Sequence, residues 1–170
     1  MRLKIRIATA DDLDELAELF VDSVRTVGLQ RYTQTQVDSW AASASDREWF
    51  QEFILKPRTY VAIDETDPVG FCGIEADGHV ASLYLRGDRQ RHGIGTQLLK
   101  HVLDYANRAG INRLHAEASE FSLSLFLKLG FQTVGTETVE RNGATFARHL
   151  VECHITPPAS HPYACKDESH

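Results

Sequence analysis

The residues from Arg86 to Thr96 concentrate the chemistry of this chain. Gln90-Arg91-His92-Gly93-Ile94-Gly95 follows an apolar run, Leu83-Tyr84-Leu85. It precedes Leu98, Leu99, Val102, Leu103 and Ala106 at helical spacing. A glycine-rich turn between a strand and a helix is a phosphate cradle. The first helical amides lack intrahelical partners, the macrodipole adds positive potential, and glycine has no Cβ to hold a ligand off the backbone. A Walker loop would need Gly-Lys-Ser/Thr, but Gly95 is followed by Thr96 and Gln97; a dinucleotide fingerprint would need a third glycine where Leu98 stands. Arg86, Arg89, Arg91 and His92 crowd the turn. On a chain of net charge −6, a locally cationic turn suits a small anionic ligand, and the overall charge argues against a nucleic-acid partner.

Three further side chains could move a proton. His79 has an ordinary pKa of about 6.5, in the working range of a general base. Glu117 lies among apolar or small residues on a short strand and would need a raised pKa. Glu75 sits beside the Asp77-Gly78 turn. No nucleophile triad is present. The three cysteines, Cys72, Cys153 and Cys165, are odd in number and form no Cys-x-x-Cys, and the eight histidines lack ligand spacing, so neither a disulfide framework nor a metal site is expected. No apolar run is long enough to span a membrane, and Met1-Arg2-Leu3-Lys4 leads into no signal-like segment. These features fit a cytoplasmic protein.

The elements that must position these groups follow from periodicity. With 170 residues, 42% of them hydrophobic, the chain can build one core. Leu3, Ile5 and Ile7 alternate with charged residues and predict a strand over 2–8. Thr9-x-x-Asp12 is a capping box before a helix with Leu13, Leu16, Phe20, Val24 and Val27 on one face, ended by Gly28. Gln34 to Ala42 reads as a helix, and Asp46 caps another that Pro57 closes. Strands are expected at Tyr60–Ile63, Val69–Glu75 and His79–Leu85, with Asp64 to Pro68 and Asp77-Gly78 as turns. A long helix runs from about Gly93 to Ala109, with Gly110 as its left-handed cap. Arg113–Ala118 is a strand. Ser119 caps a helix over Phe121–Leu129, ended by Gly130. Phe131–Glu140 and Thr145–Ile155 are strands joined by Asn142-Gly143, a type I′ signal. The order is mixed α/β in one domain, and the polar, proline-broken end after Thr156 reads as an extended tail.

Gln90-x-x-Gly93-x-Gly95 and Ser124-Leu125-Phe126-Leu127-Lys128-Leu129-Gly130-Phe131 stand in this order of elements. Over residues 3–154 the chain resembles the GNAT superfamily of acyl-CoA-dependent N-acetyltransferases. Tyr32, Gln36 and Trp40 resemble the Tyr-x-x-x-Gln-x-x-x-Trp stretch of small bacterial members. The resemblance implies a mixed, mostly antiparallel central sheet, flanked by helices, whose fourth and fifth strands splay apart; residues 155–170 form a tail outside the domain. It implies that pantetheine lies along Leu83, Tyr84 and Leu85, that the diphosphate meets Gln90, Arg91, His92, Gly93, Ile94, Gly95 and Thr96, and that Ser119 and Phe126 also contact the cofactor. Tyr32, Trp40 and Glu75 would bound the acceptor. The amine of a small molecule or peptide would attack the acetyl-CoA thioester directly, with His79 or Glu117 as base and no metal. No membrane partner is expected, and a homodimer is left open. Many family members carry a tyrosine general acid where this chain has Phe126. That departure keeps a non-catalytic acyl-CoA sensor as a second class. An interaction module without cofactor is a third, disfavoured by the intact glycine turn.

Overall fold

In the computed structural model, which describes residues 2–156, strand β1 (Leu3–Ile7) leads into a single 3-10 turn, Ala10–Asp12. Asp12 holds the turn: its carboxylate accepts from the Thr9 amide at 2.8 Å and takes a two-pronged ion pair from Arg6, both contacts 2.8 Å. Helix α1 (Leu13–Gly28) buries Leu16, Phe20 and Val24. Helix α2 (Gln34–Ala42) opens with a reciprocal cap between Thr33 and Gln36, with bonds of 2.9 and 3.1 Å. Helix α3 (Arg47–Leu55) opens on Asp46, whose carboxylate accepts from the Trp49 amide at 3.0 Å. Gly28 closes the first helix where the sequence placed its end. It is the last residue of α1, and a Cβ there would stand 2.8 Å from Val37 Cγ2. Glycine is needed so that α1 and α2 can touch.

Strands β2 (Arg58–Asp64), β3 (Asp67–Ile74) and β4 (Val80–Leu85) form an antiparallel meander with β1 on its outer edge. β3 starts two residues before the expected Val69. Pro68 is admitted because it pairs at a register shift in β2, where a missing amide is tolerated. After helix α4 (Ile94–Arg108) come β5 (Arg113–Ala118), helix α5 (Leu123–Lys128), β6 (Gln132–Arg141) and β7 (Ala144–His154). The last three strands make a second sheet in the order β5-β7-β6. Asn142 and Gly143 both take positive φ, 49° and 83°, as a type I′ hairpin requires. The predicted splay thus divides the sheet in two. Among the described residues one parallel bridge, His79 with His115, joins the halves, and the His115 amide donates to the Gly78 carbonyl at 3.0 Å.

Two cores result, and β4 serves both. Leu83 and Leu85 pack against the core of α4, β5 and α5, whereas Tyr84 joins the core of α1, α2 and α3 around Phe20 and Phe71. Helix α5 is shorter than expected at its start. The Ser119 hydroxyl accepts from the Phe121 amide at 3.3 Å and the Ser122 amide at 3.2 Å, so Ser119 caps a turn ahead of the helix. From residue 157 onward the expected tail, with Cys165, lies outside the described residues.

Candidate active site

The gap between β4 and β5 opens into a cleft of ≈ 610 Å³ that reaches from the glycine turn to the β6–β7 hairpin. At the turn, Arg91 and Gly93 take left-handed φ of 62° and 77°, and no side chain caps the start of α4. Its first amides are therefore left for a ligand. A Cβ on Gly93 would meet nothing within 4 Å, so that backbone faces open space. Gly95 has a different reason: a Cβ there would lie 2.9 Å from Leu125 Cδ2 and 3.3 Å from Leu85 Cδ1. Gln90 ties the turn to the strand by donating to the Leu85 carbonyl at 3.2 Å. Ile94 is fully buried in the core, so only its backbone is available. Thr96 lines the cleft and His92 does not.

The cationic cluster expected at the turn is thinner in three dimensions. Arg86 is paired with Asp88 at 2.7 and 3.0 Å, and Arg89 with Asp64 at 2.8 Å. Arg91 remains exposed beside the cleft. Beyond the turn, Leu83, Tyr84 and Leu85 pair with β3 along one edge, and their other edge faces the gap. An anion seat followed by an open strand edge fits a diphosphate with an extended, amide-bearing arm.

At the other end of the gap, His79 stands between two carboxylates. Its Nε2 donates to Glu117 Oε2 at 2.6 Å and its Nδ1 to Glu75 Oε1 at 3.1 Å; the His115 ring stacks on it with centroids 5.1 Å apart. The bond to Glu117 raises the His79 pKa to about 9, against the opposing effect of burial, and Glu75 adds to the rise. The same bond, helped by Arg148, holds the Glu117 carboxyl below its usual range. This corrects two expectations. His79 is an imidazolium at neutral pH rather than a base titrating near 6.5, and only Glu117 of the pair lines the cleft. Glu75 is the second carboxylate on His79 and is not part of the cleft lining.

Tyr32 and Trp40 line the cleft, with rings 5.8 Å apart and edge-to-face, and Phe146 packs edge-to-face against both. The Trp40 indole donates to the Tyr84 hydroxyl at 3.2 Å. Gln36 acts elsewhere, donating its side-chain amide to the Thr145 carbonyl at 2.6 Å and so clamping α2 to β7. Sequence reasoning missed Arg141, Phe146 and Arg148, all in the lining. Their alternation within two strands was legible, but not which face of that hairpin would meet the cleft.

An Acetyltransferase (GNAT) domain model matches residues 28–152. The chain belongs to the GNAT acetyltransferases. It is 28% identical over 144 residues to the uncharacterized N-acetyltransferase YafP of Escherichia coli K12, covering 85% of this chain and 91% of that one. A GCN5-related N-acetyltransferase from Rhodopseudomonas palustris superposes with a TM-score of 0.87 at 25% identity, over 91% of this chain and 97% of that one. The PaiA N-acetyltransferase of Thermoplasma acidophilum, solved in complex with coenzyme A, superposes with a TM-score of 0.73 at 20% identity, over 91% and 100%. As a GNAT protein, the chain is an acetyl-CoA-dependent acyltransferase. Phe126 is the residue for which the sequence resemblance implies the place of a family tyrosine. Its ring is 2% exposed, lies edge-to-face on Phe131 at 5.0 Å and lines the cleft. Ser119 lines it too. Among the described residues no group of side chains could hold a metal ion, and no helix is long and apolar enough to cross a membrane.

Proposed function

We propose that this chain acetylates the amine of a small molecule or peptide by direct attack on acetyl-CoA, with Glu117 receiving the amine's proton and His79 acting through Glu117. The observation that carries this reading is one cleft with an uncapped glycine turn at one end and Glu117, backed by His79, at the other. Acetyl-CoA supplies an acetyl thioester. Amides of the turn from Arg91 to Thr96 would hold its diphosphate, and the open edge of Leu83 to Leu85 its amide arm. Ser119 and Phe126 flank that arm. Tyr32, Trp40 and Phe146 shield the reacting end from water.

An alkyl ammonium has a pKa near 10, so it must lose a proton before it can attack. Glu117 can accept a hydrogen bond from the ammonium on the oxygen that His79 does not use. The pair titrates as a unit, and the proton acceptor it offers forms as His79 loses its charge near pH 9. A base of that strength is well matched to an alkyl amine. No side chain at position 126 can protonate the departing sulfur. A thiolate is a tolerable leaving group at neutral pH, so the phenylalanine is compatible with turnover.

Calorimetry with acetyl-CoA tests the core of this reading. Gly95→Glu places a bulky anion between Leu85 and Leu125 at the turn, and binding is expected to fall by at least about 100-fold. A folded variant with unchanged affinity would remove the diphosphate seat from the turn.

A further inference from the structure

The acceptor end of the cleft carries a charge pattern that acetyl transfer by itself does not explain. Pairing of β6 with β7 sets Glu137 opposite Arg148, Val139 opposite Phe146 and Arg141 opposite Ala144. Strand alternation therefore puts Arg141, Val139, Phe146 and Arg148 on one face. Pairing of β5 with β7 sets Glu117 opposite Leu150, which brings Glu117 to the same face. All five of these side chains line the cleft: Arg141, Val139, Phe146, Arg148 and Glu117.

The two arginines are only partly spent on structure. Arg148 gives Nη2 to Glu137, but its Nε is buried and has no hydrogen-bond partner. A buried guanidinium N–H without an acceptor has lost water for nothing, unless a ligand supplies one. Arg141 lies against the Tyr84 hydroxyl, and among the described residues no carboxylate pairs with it. Glu117 presents the opposite charge nearby, close enough for Arg148 to act on its carboxyl. Cations and an anion side by side on one wall, in a cleft also lined by aromatic rings, complement a molecule that carries both an ammonium and a carboxylate. A polyamine would bring like charge up to the two arginines.

Resting on the acetyl-transfer reading above, we propose that the acceptor is a zwitterionic amine of the α-amino acid class. Its ammonium faces Glu117, its carboxylate is bound by the Arg148 Nε–H and the Arg141 guanidinium, and its side chain lies on Tyr32, Trp40 and Phe146. The reaction balances. The ammonium gives one proton to the Glu117–His79 pair and on to solvent, and the nitrogen forms a bond to the acetyl carbon as the C–S bond breaks. The remaining excess proton ends on the released thiol. Acetylation removes the positive charge that Glu117 attracts, so the product, of charge −1, is held less tightly than the substrate and leaves.

The test measures thiol release at saturating acetyl-CoA with α-amino acids, each beside its carboxamide, and with spermidine and a lysine peptide. The preferred amino acid should exceed its amide in kcat/KM by roughly 10- to 100-fold, the scale of a hydrogen bond to a charged group. That is expected even though the amide's amine is the easier to deprotonate. Arg148→Gln and Arg141→Gln should each shrink this ratio, mainly through KM. Arg148→Lys, which keeps the charge and loses the Nε–H, should shrink it less and serves if the glutamine variant fails to fold. An amide turned over as well as its acid, a ratio untouched by the variants, or a preference for spermidine or the peptide would overturn this acceptor class while acetyl transfer stands. Acetyl-CoA binding with no amine turned over would overturn acetyl transfer and this inference together.

Discussion

His79 shows how one contact changes what a residue can do. As a free imidazole it would titrate near pH 6.5; between Glu75 and Glu117 it does so at about 9. A group whose folded pKa is raised stabilises the fold fully below its unfolded value, and loses that contribution as pH rises through the folded one. Glu117, whose pKa is lowered from 4.5, contributes above that value and loses its contribution as pH falls. The pair is thus at full strength between about pH 4.5 and 6.5. The melting-temperature gap between wild type and His79→Gln should be largest in that window and close above about pH 9. The same titration should appear in kinetics as a rise of kcat/KM toward pH 9, flattened in His79→Gln. A limb that stays between 6 and 7.5 would show that another group takes the proton. Phe126 is the other residue whose type matters. Buried on Phe131, it should cost about 3–5 kcal/mol on truncation to alanine, read by denaturant unfolding. Phe126→Tyr adds a hydroxyl at the cleft and should raise kcat most for the slowest acceptors.

At the scale of elements, the acceptor side of the cleft is assembled by a clamp. Helix α2 meets the β6–β7 hairpin through Gln36 on the Thr145 carbonyl, the Ser39 hydroxyl on the Arg141 carbonyl, and the Asn142 side-chain amide on the Ser39 carbonyl at 2.7 Å. These bonds fix where Arg141 and Phe146 stand relative to Tyr32 and Trp40. Gln36→Ala removes one bond of the clamp and one half of the α2 cap, for a loss of roughly 1–2 kcal/mol. The expected signature is a higher KM for the acceptor with the acetyl-CoA dissociation constant held, because the glycine turn lies on a different element. A parallel loss of acetyl-CoA affinity would mean that α2 also positions the turn.

At the scale of the whole molecule, the decisive feature is that, among the described residues, two half-sheets are joined by one bridge. An antiparallel edge without a partner exposes backbone groups that a ligand can pair. Hydrogen exchange read by mass spectrometry should slow on acetyl-CoA binding at peptides covering 83–85 and 91–96, and much less on the outer strand β1. Uniform slowing would indicate general stiffening rather than a strand-edge ligand.

Local signals in the sequence determined most of the elements. The helix Gln34–Ala42, the cap at Asp46, the Asn142-Gly143 turn, the long helix after the glycine turn and the strand Arg113–Ala118 depend on neighbours within a few residues, and the structure has them where the pattern put them. The glycine turn was legible for the same reason, since its geometry lies within six consecutive residues. Gly28 was read as the end of α1, which it is, but its close contact with Val37 lies across a helix–helix pair that no local rule sees. Tertiary structure alone decided the site's charges. It spent Arg86 and Arg89 on Asp88 and Asp64, set Glu75 and Glu117 on either side of His79, and turned the face with Arg141 and Arg148 into the cleft. A side chain's charge state and its availability to a ligand depend on which distant groups come within a few ångströms of it, and only the folded chain sets those distances.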